Sequence, residues 1–175
     1  RKVTKTKSVF PSDASLEKML YLAPQDEILN QMKELILKYV VGKNDSLDID
    51  ADIAKAFPNL KFETYPGLNS KEGKSLVKQK YGFIVLDELH RTGAEEWEKH
   101  VDKLLENQDE NVKVLGITAT QTRDVDSRNM ADETALKLGY SEEDVKNGKH
   151  IAKELDLQTA IQLGIVVNPK IISFI

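Results

Sequence analysis

Two adjacent carboxylates, Asp87 and Glu88, close the apolar run of "GFIVLDELH". A strand that ends in two acids delivers them to the carboxyl edge of a sheet, where open α/β sheets bind their ligands. One acid can hold Mg²⁺, an ion that prefers oxygen ligands and keeps several waters. The other can orient or deprotonate an attacking water. Adjacent strand residues point to opposite sides, so the twist at the strand end is expected to turn both carboxylates into one crevice. A strand ending in Asp-Glu equally describes two solvated acids, and its meaning depends on what surrounds it. A second stretch, "GLNSKEGKS", ends like a phosphate loop, which needs G-x-x-x-x-G-K-[ST] between a strand and a helix. Five residues rather than the motif's four separate Gly67 from Gly73. Only "LVKQKY" follows Ser75 before the next strand, too short for a full crossover helix. Gly73-Lys74-Ser75 is therefore read as a decoy, a surface turn leading into a short helix. His90, His100 and His150 are too scattered for a metal site, and neither H-E-x-x-H nor G-x-S-x-G occurs.

The elements that must position these residues alternate in a βα rhythm. "MLYLA" (Met19 to Ala23) reads as a buried strand ended by Pro24. "QDEILNQMKELILKYV" puts Ile28, Leu29, Met32, Leu35, Ile36, Tyr39 and Val40 at helical spacing, with Asp26 and Glu27 in the first turn and Gly42 as the stop. "DIDADIAKAF" is a short helix capped by Asp48 or Asp50. "LKFETY" alternates as a strand and Pro66-Gly67 turns the chain. "GFIVLDE" and "VKVLGIT" read as strands covered on both faces. Between them "GAEEWEKHVDKLLEN" is an amphipathic helix with Trp97, Val101, Leu104 and Leu105 inward and His100 as a half-exposed surface histidine. Ser141 opens a further short helix, and a last one runs through "LDLQTAIQLGIVV" to Gly164. Strands alternating with helices imply an α/β domain with a mostly parallel sheet flanked by helices.

Beyond periodicity, the order of several short motifs carries a resemblance. "VLDELHRTGAEEW", one helix before "LGITATQTR", resembles motifs II and III of superfamily 2 helicases of the DEAD/DEAH-box type. Upstream, "LYLAPQDEILNQ" resembles their motif Ia, and "FETYPGL" the Thr-Tyr segment that precedes motif II. Downstream, "LQTAIQLGIVVNPK" resembles the way out of the first motor domain in bacterial helicases related to restriction-enzyme motor subunits. The matches run in family order over about residues 19 to 172. The resemblance implies a RecA-like P-loop NTPase fold, incomplete, with residues 1–175 as part of the first RecA-like, ATP-binding domain.

What the resemblance implies for residues is specific. Asp87 would hold Mg²⁺ and Glu88 would act as base toward water. His90 would link the nucleotide site to the neighbouring, second RecA-like domain. Thr118, Ala119 and Thr120, in the Thr-Ala-Thr loop, would couple nucleotide state to strand binding, with Arg123 nearby. Pro24, Gln31 and Thr64 match segments that border the nucleic-acid path. The family proline after Thr-Ala-Thr is Gln121 here, which leaves that turn less rigid.

The implied cofactors are ATP and Mg²⁺ in an intact parent protein. The implied partners are nucleic acid, with DNA favoured over RNA by the restriction-motor flavour of the tail, and the second motor domain. No stretch of the 175 residues supplies the phosphate loop, which the family places before motif Ia. Positioning and electrostatics carry nearly all phosphoryl-transfer catalysis. The expectation is that this polypeptide alone binds no nucleotide tightly and does not hydrolyse ATP at a useful rate. A central strand would then be absent, or replaced by "KVTKTKSVF". A competing reading is a degenerate helicase-like domain kept as a non-catalytic module that binds nucleic acid or protein. A third, a Mg²⁺-dependent nuclease built on Asp87 and Glu88, lacks the further acids and lysine such a site needs.

Composition bounds these readings. A chain of 175 residues, 40% hydrophobic and 31% charged, fits one domain with a sizeable core. The net charge of −4 gives no global pull toward nucleic acid, and Lys2, Lys5 and Lys7 form the densest basic cluster. No cysteine occurs, so disulfides and thiolate metal sites are excluded. No apolar run is long enough to span a membrane, and the cysteine-free composition fits a cytoplasmic location.

Overall fold

The computed structural model describes residues 18–120, 126–152 and 159. Four strands form one all-parallel sheet: β1 (Met19–Ala23), β2 (Leu60–Thr64), β3 (Phe83–Asp87) and β4 (Lys113–Ile117), in spatial order β2-β1-β3-β4. Six α-helices connect or follow them: α1 (Asp26–Ile36), α2 (Ile49–Ala56), α3 (Lys71–Val77), α4 (Glu95–Glu106), α5 (Met130–Lys137) and α6 (Glu142–Lys146). The α/β, mostly parallel architecture expected from the sequence is present, and all four strands fall on the stretches read as strands. The chain leaves β1 toward β2 on one side and β3 toward β4 on the other. The two central strands therefore flank the point where the connections part, and ligand crevices of open α/β sheets form at such a point.

Alternation along the strands divides the core between two faces. Leu20 and Leu22 of β1 and Ile84 and Leu86 of β3 are fully buried with Tyr65, Leu68, Val101 and Leu104, beneath α3, α4 and α5. Each such aliphatic side chain contributes about 2 kcal/mol through removal from water. Tyr21, Ala23 and Val85 face the other way and pack with Leu29 of α1. Trp97 packs against the first cluster and stacks on Tyr65 with ring centroids 5.7 Å apart, a core role as its spacing suggests.

The structure corrects two local expectations, decides between two caps and adds one helix. Helix α1 gives way at Ile36 to a wider π-helical turn, Leu37–Val41, closed by Gly42 in the left-handed region at φ 78°. In that turn Leu37 is buried while Tyr39 and Val40 are exposed, and Leu35, ahead of it in α1, is exposed as well. Strand β4 is not covered on both faces. Leu115 and Ile117 are each 41% exposed: they share the face of Val85, where α1 packs over β1 and β2. Asp48, rather than Asp50, caps α2, accepting from the Ala51 N–H at 3.0 Å. Helix α5 was not foreseen. Asn129 caps it by accepting from the N–H groups of Ala131 and Asp132, a readable signal because acids follow in the first turn. Ser141 caps α6 as expected, accepting from the Asp144 N–H at 3.1 Å. The helix through "LDLQTAIQLGIVV", the N-terminal "KVTKTKSVF" and its lysines lie outside the described residues, except Thr159.

Candidate functional site

Parallel register sets the carboxyl edge. Thr64 pairs with Ala23 and Asp87 with Ile117, and Leu22 pairs with Leu86, which brings Ala23 level with Asp87. Thr64, Ala23, Asp87 and Ile117 thus form one row. Pro24, Glu88 and Thr118 are the residues that leave it. Glu88 is turned by its own backbone and not by strand twist. Its φ of 51° and ψ of 51° place it in the left-handed region, and a 3₁₀ turn, Leu89–Arg91, follows. A non-glycine residue held there costs about 1–2 kcal/mol, and such strain gathers at functional sites. The turn is secured beneath by buried Thr92, whose hydroxyl donates to the Leu89 carbonyl at 2.8 Å.

Asp87 is gripped from both faces of the sheet. Tyr21 pairs with Val85, and Asp87, two residues further along β3, points to the same face. The phenol spans that diagonal and donates to Asp87 Oδ2 at 2.6 Å. From the other face Tyr65 donates to the Asp87 carbonyl at 2.7 Å. The Glu88 N–H donates to Asp87 Oδ1 at 2.9 Å. Burial raises both phenols above their ordinary range, followed by the hydrogen bond to Asp87 and its charge for Tyr21 and by the Asp87 charge for Tyr65. The sequence reading passed over Tyr21. The signal was available, since a tyrosine inside a buried strand must find its hydroxyl a partner.

His90 ties the ends of β3 and β4 together. Its Nδ1 lies 2.9 Å from Thr118 Oγ1 and 3.3 Å from Glu88 Oε2. The Thr118 hydroxyl donates to the Thr120 carbonyl, which leaves its oxygen able to accept from Nδ1. Asp87, Glu88, His90, Thr118 and Thr120 therefore form one connected group, with Ala119 exposed between the threonines. Pro24 is buried at the end of β1, and Thr64 is half-buried at the end of β2. The Thr64 hydroxyl accepts from the Gly67 N–H at 3.0 Å. Gln31 is exposed on α1. Arg123 and Gln121 lie outside the described residues.

The second phosphate-like stretch has a different explanation. Gly73-Lys74-Ser75 lies within α3 and not in a turn ahead of it. Gly73 is buried, and its N–H donates to the capping Ser70 Oγ at 2.9 Å. A Cβ on Gly73 would sit 2.1 Å from the Gly67 carbonyl oxygen and 2.5 Å from the Leu68 Cα. The glycine is there because a helix start meets the backbone of the Pro66–Asn69 turn.

Among the described residues no three His, Asp or Glu side chains gather as a metal cage. A carboxylate with a neighbouring acid at an open sheet edge fits Mg²⁺, which is commonly held by one or two carboxylates plus waters and phosphate oxygens. No helix among the described residues is long and apolar enough to cross a membrane. No curated protein and no solved structure matches the chain. The family model for the type III restriction enzyme, res subunit, matches residues 4–123, and the parallel sheet flanked by helices agrees with that family's RecA-like, helicase-like domain. By that match, which covers most of its length, the chain belongs to the type III restriction enzyme res subunit family.

Proposed function

We propose that this helicase-like ATPase domain carries the water-activating half of a nucleic-acid-dependent ATP hydrolysis site, as part of a first RecA-like motor domain spanning residues 1–175. The observation that carries the reading is the connected group at the carboxyl edge: Asp87 gripped by two tyrosines, Glu88 turned out by a left-handed backbone, and His90 bridging Glu88 to Thr118. Asp87 would hold Mg²⁺, which when bound to ATP neutralises charge that develops on the phosphates. Glu88, partly exposed and turned away from the strand, orients the attacking water and takes its proton. His90 and Thr118 transmit the position of Glu88 to the Thr118-Ala119-Thr120 segment, and a second motor domain docks over it. Arg123 extends that coupling segment. Pro24, Gln31 and Thr64 border the path of the nucleic acid. The restriction-enzyme family favours DNA over RNA as that partner, and the cytoplasm is the compartment where such a motor meets both DNA and ATP.

The test uses the full natural gene product that contains these residues. Asp87→Asn is expected to lower DNA-stimulated ATP hydrolysis by about 100-fold or more, with stability within ~1 kcal/mol of the wild type. An unchanged rate contradicts the assignment. Duplex DNA is expected to stimulate more than duplex RNA of the same sequence.

A second reading has its own support. The 175 residues contain no G-x-x-x-x-G-K-[ST], and the nearest approach to it is occupied with packing Gly73 against Gly67. On that ground the 175-residue chain by itself is expected to hydrolyse ATP negligibly and to act as a non-catalytic module for nucleic acid or protein. If the full gene product also fails to hydrolyse ATP yet retains salt-sensitive DNA binding, this second reading replaces the first.

A further inference from the structure

The Tyr21 hydroxyl is explained by neither packing nor strand pairing. The ring already packs against Phe62, centroid to centroid 5.5 Å, and phenylalanine would fill the same space. What the hydroxyl adds is a single short bond to Asp87 Oδ2, from a ring that packs in the cluster of Ala23, Leu29 and Val85. With the Glu88 N–H on Oδ1 at 2.9 Å, this bond fixes the plane of the carboxylate from two sides. Tyr65 holds the carbonyl of the same residue, so backbone and side chain are immobilised separately. Asp87 itself is half-buried, at the end of β3 in the carboxyl-edge row.

We propose that Tyr21 is a positioning residue that presets the Asp87 carboxylate to receive a divalent cation. This rests on the reading of Asp87 as the metal-holding acid. Residues that orient a metal-binding carboxylate typically change metal affinity by about 10- to 100-fold when removed. The hydroxyl acts through Asp87 and not on the reacting atoms.

The experiment is a titration of the 175-residue chain with Mn²⁺ alone, a paramagnetic stand-in for Mg²⁺, with free Mn²⁺ followed by electron paramagnetic resonance. Wild type, Tyr21→Phe, Asp87→Asn and the double variant are compared. The expected result is a site that Asp87→Asn removes and that Tyr21→Phe weakens about tenfold. The double variant should match Asp87→Asn alone. Tyr21→Phe keeps the ring on Phe62, and an unchanged thermal midpoint within a few degrees confirms that the fold is retained. Wild-type affinity in Tyr21→Phe overturns the positioning role while leaving the metal reading of Asp87 intact. A Tyr21→Phe effect that persists in the Asp87→Asn background also overturns it. Mn²⁺ binding indifferent to Asp87→Asn removes the metal reading itself, and the positioning role with it.

Discussion

Gly73 and Glu88 invert the usual relation between residue and backbone. Gly73 sits in ordinary helical backbone, where an alanine would normally be preferred, yet no side chain fits because the Gly67 carbonyl is in the way. Glu88 occupies the left-handed region, where a glycine is at ease, yet the chain places a glutamate there. In the first case the residue is chosen for packing and in the second against local comfort. Strain at a partly exposed carboxylate, beside a histidine bridge, is the pattern expected where a side chain is there for what it does. A glycine retained for space says nothing about phosphate. The two halves of an apparent nucleotide site in this sequence thus separate: one is built to hold up a turn, the other to hold out an acid.

That contrast can be broken at its strongest point first. Gly73→Ala should destabilise the domain by about 3 kcal/mol, since the new methyl meets backbone rather than a movable side chain. Lys74→Ala, on exposed α3 surface next to it, should stay within about 0.5 kcal/mol. Chemical denaturation of both variants checks the pair, and equal midpoints would show that the helix start has room it is not credited with. Glu88→Gly should do the reverse and stabilise by up to about 1 kcal/mol, the relief of left-handed strain being partly offset by a freer unfolded chain. A fall in the thermal midpoint would show that the contact of Glu88 with His90 outweighs the strain. Ser70→Ala should cost about 1 kcal/mol by uncapping α3.

The smallest effect lies away from both regions. Arg128 donates to Glu98 of α4 and to Glu133 of α5 and so joins the two helices. The Arg128 hydrogen bonds hold the Glu98 carboxyl below its usual range. A depressed carboxyl contributes stability that is present above its unfolded-state pKa and lost as the pH falls through its folded-state value. Urea midpoints should therefore drop below about pH 4.3. Arg128→Ala should remove part of that slope, by about 1 kcal/mol or less for a partly exposed pair.

Much of the fold was legible because it rests on short-range pattern. Four apolar runs bounded by Pro, Gly and Asn became four strands, and the parallel sheet followed from the helices between them. What escaped depends on tertiary position. The run "VKVLGIT" has the composition of a covered strand, and only the strand order reveals that one flank is open. The apolar face of α1 is narrower than its run suggests: Leu35 is exposed within the helix, and the π-helical turn after Ile36 breaks the 3.6-residue period for Tyr39 and Val40. At the site, Asp87, Glu88, His90 and Thr118 were named from sequence, but their joining was not visible there. The left-handed Glu88 has no local sequence signature. The Tyr21 bond depends on a register between strands far apart in the chain.

On the proposed function, the acid at the end of β3, and not the lysine in α3, serves nucleotide hydrolysis. The direct measurement is DNA-stimulated ATP hydrolysis by the full natural gene product carrying Glu88→Gln or Lys74→Ala. A rate reduced by about 100-fold or more in Glu88→Gln, beside a wild-type rate in Lys74→Ala, is the predicted result. Loss of activity in Lys74→Ala with an intact rate in Glu88→Gln would contradict it.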